Sequence, residues 1–203
     1  MNRLSHLLLF FLLSNLSYGQ KSFEGLIKFS TNIKLLKNAP SVYNDLPEVY
    51  GDSLIMYYSA NGDFKRIHLN SADFGNGTQD FNAKNGIIIF TKNNGEKDTL
   101  NVVKNLLELK RKTKINNEKI MDRDCECWEY MTLDQDGDYA ILNYCFNLNT
   151  PKIDPSLYLM YQDFFLYDFY ELSKRPYLKF SLETKYFILT YTADRLIEGK
   201  LSN

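Results

Sequence analysis

The sequence predicts a mainly β fold with a helical contribution (α+β), and three observations carry that prediction. Short runs of alternating apolar and polar residues, divided by Gly, Asn and Asp, recur along most of the chain. Asn61-Gly62 sits between two such runs and marks a hairpin. One segment, 156–174, has no Gly or Pro and follows a helix-starting Asp154-Pro155 pair.

Composition sets the frame for those elements. The chain has 203 residues, with 24 Lys and Arg against 25 Asp and Glu. A net charge of −1 excludes a nucleic-acid binder that works by bulk positive charge. At the N-terminus Arg3 supplies a positive region and 7–13 an apolar core. Ser17-Tyr18-Gly19 then places small residues for a cut after Gly19. Residues 1–19 are therefore expected to be a signal peptide and 20–203 one β-rich domain, large enough to bury a core unaided. The apolar run is far short of the roughly 20 residues that span a bilayer, so no transmembrane segment is expected in the mature chain. The expected location is the periplasm or the extracellular medium.

The strands follow in order. Residues 23–33 place Ile27, Phe29, Thr31 and Ile33 on one face, and 34–51, with Pro40 and Pro47, reads as irregular. Strands at 53–59 and 64–69 flank Asn61-Gly62, which suits the positive φ of a type I′ turn. The polar, Gly/Asn-rich stretch 71–86 reads as a long loop. Strands at 86–91 and 98–103 enclose the Asn93-Asn94-Gly95 turn. Residues 106–115 read as a strand that 116–119 turns into the cysteine strand. A last hairpin pairs 177–182 with 186–191, and 193–200 reads as a short helix or a frayed end.

The break in this pattern is 156–174. Asp154 is a helix N-cap, Pro155 occupies the first helical position, and Arg175-Pro176 closes the run. The spacing predicts a helix of about five turns. Seven aromatics fall between Tyr158 and Tyr170. Such a helix either packs into the concave face of a sheet or forms the main core element. Its aromatics Tyr161, Phe164, Phe165 and Phe169 are the candidate ligand-binding residues.

The three cysteines allow one bridge. Centring the turn 134–138 on Asp136 sets Cys127 opposite Cys145, which makes them the disulfide candidate and leaves Cys125 over. Asp134, Asp136 and Asp138 resemble the opening of a calcium loop. Its glycine comes too early and its late acid is missing, so a plain turn is read here and no metal site. Asn76-Gly77-Thr78 fits the glycosylation pattern, which is too short to carry weight.

Absences narrow the chemistry. Beyond the leader the sole histidine is His68, which excludes a two-histidine metal site, and no Gly-x-Ser-x-Gly elbow accompanies it. No phosphate-binding glycine motif is present. No cofactor is expected, and the chain is read as not an enzyme.

The opening 23–29, the run 112–120, the Cys125/Cys127 strand, the Cys145 strand and the close 186–197 together resemble a known group. They look like the uncharacterised exported Gram-negative bacterial proteins related to the LolA-like lipoprotein-carrier superfamily. The resemblance implies a curved antiparallel sheet, an unclosed half barrel, whose concave face is covered by helices; in this chain one long aromatic-rich helix, 156–174, is expected to take that place. It implies an exported non-enzymatic protein that binds a lipid or acyl chain between sheet and lid. The alternative is a cell-envelope structural or protein-interaction module with a packed core and a protein partner. The Cys-x-Cys strand and the single helix depart from the carriers themselves.

Overall fold

Alternation at period two decides which side of each strand is buried, and pairing register carries that choice from strand to strand. In β2 (Ser53–Tyr58), Leu54, Met56 and Tyr58 are buried. They stand opposite Ile27 and Phe29 of β1 (Gly25–Leu35) on one side. On the other side they face His68, Arg66 and Phe64 of β3 (Phe64–Leu69). These residues share one face, the inner face of the sheet.

The computed structural model describes residues 22–200, so the expected leader and its cut lie outside the described residues. After β3 come β4 (Asn76–Asn82), β5 (Ile87–Lys92), β6 (Lys97–Asn101) and β7 (Glu108–Ile120). They are followed by β8 (Arg123–Leu133), β9 (Tyr139–Phe146), β10 (Lys179–Glu183) and β11 (Phe187–Glu198). All belong to one unclosed antiparallel sheet of 11 strands in the order β6-β5-β4-β3-β2-β1-β11-β10-β9-β8-β7. Two meanders meet where β1 pairs with β11, in a register running from Gly25↔Glu198 to Leu35↔Phe187. A 3-10 turn (Ser41–Tyr43) and the short helix α1 (Leu46–Tyr50) link β1 to β2.

The sheet is strongly curved. Eight strand spacings separate β6 from β9, about 38 Å in a flat sheet at ~4.8 Å each. Yet Leu100 of β6 and Tyr144 of β9 line one cavity. The inner face wraps round a core that is heavily aromatic, with Phe29, Tyr58, Tyr144, Phe169 and Tyr170 almost fully buried.

Several expectations need correction. The five-turn helix over 156–174 does not form. In its place are 3-10 turns at Pro155–Tyr158 and Asp163–Phe165 and a two-turn helix α2 (Leu166–Ser173). The cap itself is as read: Asp154 Oδ1 accepts from Ser156 N at 3.0 Å. The break lies at Phe164 and Phe165, both left-handed at φ 51° and 57°. That conformation costs about 1–2 kcal/mol per residue. It is held because the rings go to different partners: Phe164 to Phe180, Phe165 to Tyr130. A continuous helix presents one stripe and cannot send adjacent rings both ways.

The 71–86 stretch is not one loop, because β4 runs through it. Its inward positions are Gly77, Gln79 and Phe81, so the apolar alternation that announces a strand is missing. Gly62 has φ 89° but Asn61 is not left-handed, so the β2–β3 turn is not type I′. Residues 116–119 form a bulge inside β7, where pairing shifts between Ile115 and Glu118. The chain reverses at Met121-Asp122, with φ 49° and 57°. Residues 193–198 continue β11 rather than coiling.

Cys127 and Cys145 face each other in register and are joined by a disulfide, with Cα atoms 4.1 Å apart. Glu118 reaches across it to Lys179 at 2.5 Å. Cys125 is free and buried, and burial pushes its thiol up to about 11, which keeps it protonated and unreactive. The bridge closes a loop with a sequence separation of 18. Replacing both bridged cysteines by Ala should lower unfolding stability by about 3 kcal/mol. A urea titration reads this directly, and a shift under about 0.5 kcal/mol would show that the hairpin register holds without the bridge.

Candidate functional site

Residues 153–174 leave the sheet and return to it, and Ile153 N donates to Lys174 O at 3.0 Å where the ends meet. This segment lies over the inner face as a lid, and rings hold it there. Phe169 stacks on Tyr144 at 4.5 Å and Tyr161 packs on Phe64 and Phe81, while within the lid Tyr170 meets Tyr158 at 4.6 Å. Few hydrogen bonds are needed in addition. The Tyr144 hydroxyl donates to Phe164 O at 2.8 Å, and the Tyr58 and Tyr170 hydroxyls lie 3.2 Å apart. Gln162 N and Asp163 N both donate to Val102 O, which ties the lid to the β6–β7 connection. Lys112 on edge strand β7 pairs with Asp168 of α2 at 2.6 Å.

Between lid and sheet lies a cavity of about 140 Å³. One wall is Arg66, Gln79, Ile88, Phe90 and Leu100 from β3 to β6. The facing wall is Tyr144, Phe180, Leu182, Leu189 and Tyr191 from β9 to β11, and the lid adds Tyr161, Asp163, Phe164 and Leu166. Half-exposed Phe90, Phe164, Phe180 and Leu182 leave it partly open to solvent.

Of the four aromatics singled out in the sequence, Tyr161 and Phe164 line this cavity. Phe165 and Phe169 do not: they are spent on Tyr130 and Tyr144 and brace the lid. A five-turn helix would have placed all four along one stripe, and the left-handed break separates them. Sequence reading missed Arg66, Gln79 and Asp163. Arg66 was legible in principle, since it lies at period two between Phe64 and His68 and pairs with Met56. The competing cue was Ile67 and Leu69 on the other side of β3, which an apolar count would turn inward.

The other candidate groups have structural employment. His68 is buried, with Nδ1 3.1 Å from Tyr50 O and Nε2 3.2 Å from Gln79 Nε2. Gln79 donates to Nε2, so the ring is neutral with its proton on Nδ1. Burial, with Arg66 nearby, lowers its pKa to about 4, against the pull of the Tyr50 carbonyl. The Asp134 carboxylate accepts from Asp136 N and Asp138 N, and Asp138 pairs with Lys185, so the three aspartates build a turn. Glu118, Cys127 and Cys145 bring ligand-type atoms within 4.8 Å of one another, but the two sulfurs are bonded to each other. A broader groove along Asp122, Arg123, Asp124 and Glu126 is polar and suits no apolar guest.

No family model and no curated protein matches the chain. Among the described residues no helix is long and apolar enough to cross a membrane.

The histidine gives a pH prediction. Its folded pKa lies below the unfolded value of 6.5, so its contribution is whole above about pH 6.5 and is lost as pH falls through 4. From neutral pH down to about 4 the wild type should lose about 3 kcal/mol more stability than His68→Gln. Parallel pH profiles for the two proteins would mean that the buried ring is hydrated in solution.

Proposed function

We propose that this is an exported, non-enzymatic protein that holds an apolar ligand, a lipid or acyl chain, between its curved sheet and its lid. The observation that carries the reading is the cavity: rings and aliphatic side chains from both meanders and the lid enclose it, with few polar groups among them. Its volume matches that of an engineered apolar cavity of ~150 Å³ that takes up benzene. It therefore suits one end of a chain, the remainder lying out through the half-exposed rim. Supporting the non-enzymatic part, the cavity has a single carboxylate, Asp163, and His68 stands behind its wall with both nitrogens engaged. A curved antiparallel sheet under an aromatic lid also fits the resemblance to LolA-like carriers.

The modest volume favours a second reading, a cell-envelope interaction module whose core is packed and whose partner is a protein. Solvent extraction and mass spectrometry of protein purified without detergent from an exporting Gram-negative host separates the two. A stoichiometric lipid or acyl species is expected, and an empty protein would favour the interaction module. Leu182→Trp fills the cavity from β10 and leaves every lid residue unchanged. It should cut retained ligand by about tenfold while the thermal transition stays cooperative. Unchanged retention in that variant would place the ligand elsewhere.

A further inference from the structure

Arg66 is out of place in an apolar cavity. Its strand turns it inward, opposite Met56 on one side and Gln79 on the other. The guanidinium stays charged at any physiological pH and carries five N–H donors. The structure satisfies few of them. One terminal nitrogen reaches Gln79 Oε1 at a long 3.4 Å, and Nε is buried with no hydrogen-bond partner. The group lies 4.9 Å from the centre of the Phe64 ring and close to the Tyr161 hydroxyl. Asp163 lines the same cavity and feels the Arg66 charge, but the two form no ion pair. A half-buried charge with no ion-pair partner still costs stability, and a fold that only needed a filled core would carry Met or Leu there.

We infer that Arg66 is the anchor for an anionic head on the ligand, and that the cavity takes an apolar monocarboxylate. The inference rests on the apolar-ligand reading and names the class of that ligand. A carboxylate matches the guanidinium fork, filling the donors left open on Arg66, while the tail lies against Phe90, Leu182 and Leu189. The neighbouring Asp163 disfavours a doubly charged head such as a phosphate monoester.

The test is displacement of a fluorescent apolar probe at neutral pH by decanoate, decanol and decyl phosphate, on the wild type, Arg66→Met and Arg66→Lys. Wild type should bind decanoate at least about tenfold more tightly than decanol, as expected for a charge-assisted pair. Arg66→Met should lose that preference yet keep decanol, and Arg66→Lys should keep part of it. Ligand-free Arg66→Met should also melt higher than wild type, since it removes a half-buried charge that has no ion-pair partner. Equal affinity for decanoate and decanol in the wild type would overturn the anchor and leave the apolar-ligand reading standing. Decyl phosphate binding more tightly than decanoate would overturn the carboxylate assignment. Failure of all three to displace the probe would overturn both readings. If Arg66→Met does not fold, Arg66→Lys together with the wild-type decanoate-to-decanol ratio still decides.

Discussion

The pairing of β1 with β11 is the constraint on which the rest of this molecule depends. Each meander pairs strands that are consecutive in the chain, and either alone would end in an exposed edge. Only the β1–β11 ladder converts the two into a single surface. Its register, with Phe29 opposite Ala193, Thr31 opposite Tyr191 and Ile33 opposite Leu189, sets which rings of the second meander face those of the first. Were it to slip by one residue, Tyr191 and Leu189 would turn outward and the cavity would lose that wall. Contacts separated by most of the chain are slow to form, so this ladder also sets when folding can finish.

On that surface the lid is held by shape more than by secondary structure. Two turns of helix and two 3-10 turns would be marginal by themselves. Packed rings compensate, and the left-handed pair at Phe164 and Phe165 persists because its neighbours fix both rings and the Tyr144 hydroxyl takes the Phe164 carbonyl. Arg66 is the counter-example inside the same core. There the fold accepts an unsatisfied donor where apolar packing would be cheaper, the pattern expected at a position kept for something other than stability.

How much of this could be read in the sequence follows from what each element uses as its signal. β1, β2, β3, β5 and β9 announce themselves by β-branched and aromatic runs, and the register of Cys127 with Cys145 follows from counting outward from Asp136. β4 was hidden because its buried positions include Gly77 and Gln79, which signal a loop on composition. The far end of β11 was hidden for a related reason: Asp194 and Arg195 face solvent on a strand whose partner, β1, cannot be guessed locally. The lid failed differently. Its cap and its proline were legible, but the absence of Gly or Pro says only that a helix is permitted. Tertiary contacts to Tyr130 and Phe180 then decided against it. The cavity needed three-dimensional knowledge, because its walls come from strands far apart in the chain.

An open sheet of this length has two free edges, and they are unlike. β6 is short, whereas β7 runs from Glu108 to Ile120, mostly exposed, and carries Lys110, Arg111, Lys112, Lys114 and Lys119. A second copy laid antiparallel against β7 would set these cations against their own kind, and the bulge after Ile115 would spoil the ladder. The protection against end-to-end growth is thus partly steric and partly a matter of charge. The charged part reaches about 8 Å at physiological ionic strength and only about 3 Å in molar salt. In brine the bulge is what remains of that protection along the β7 edge.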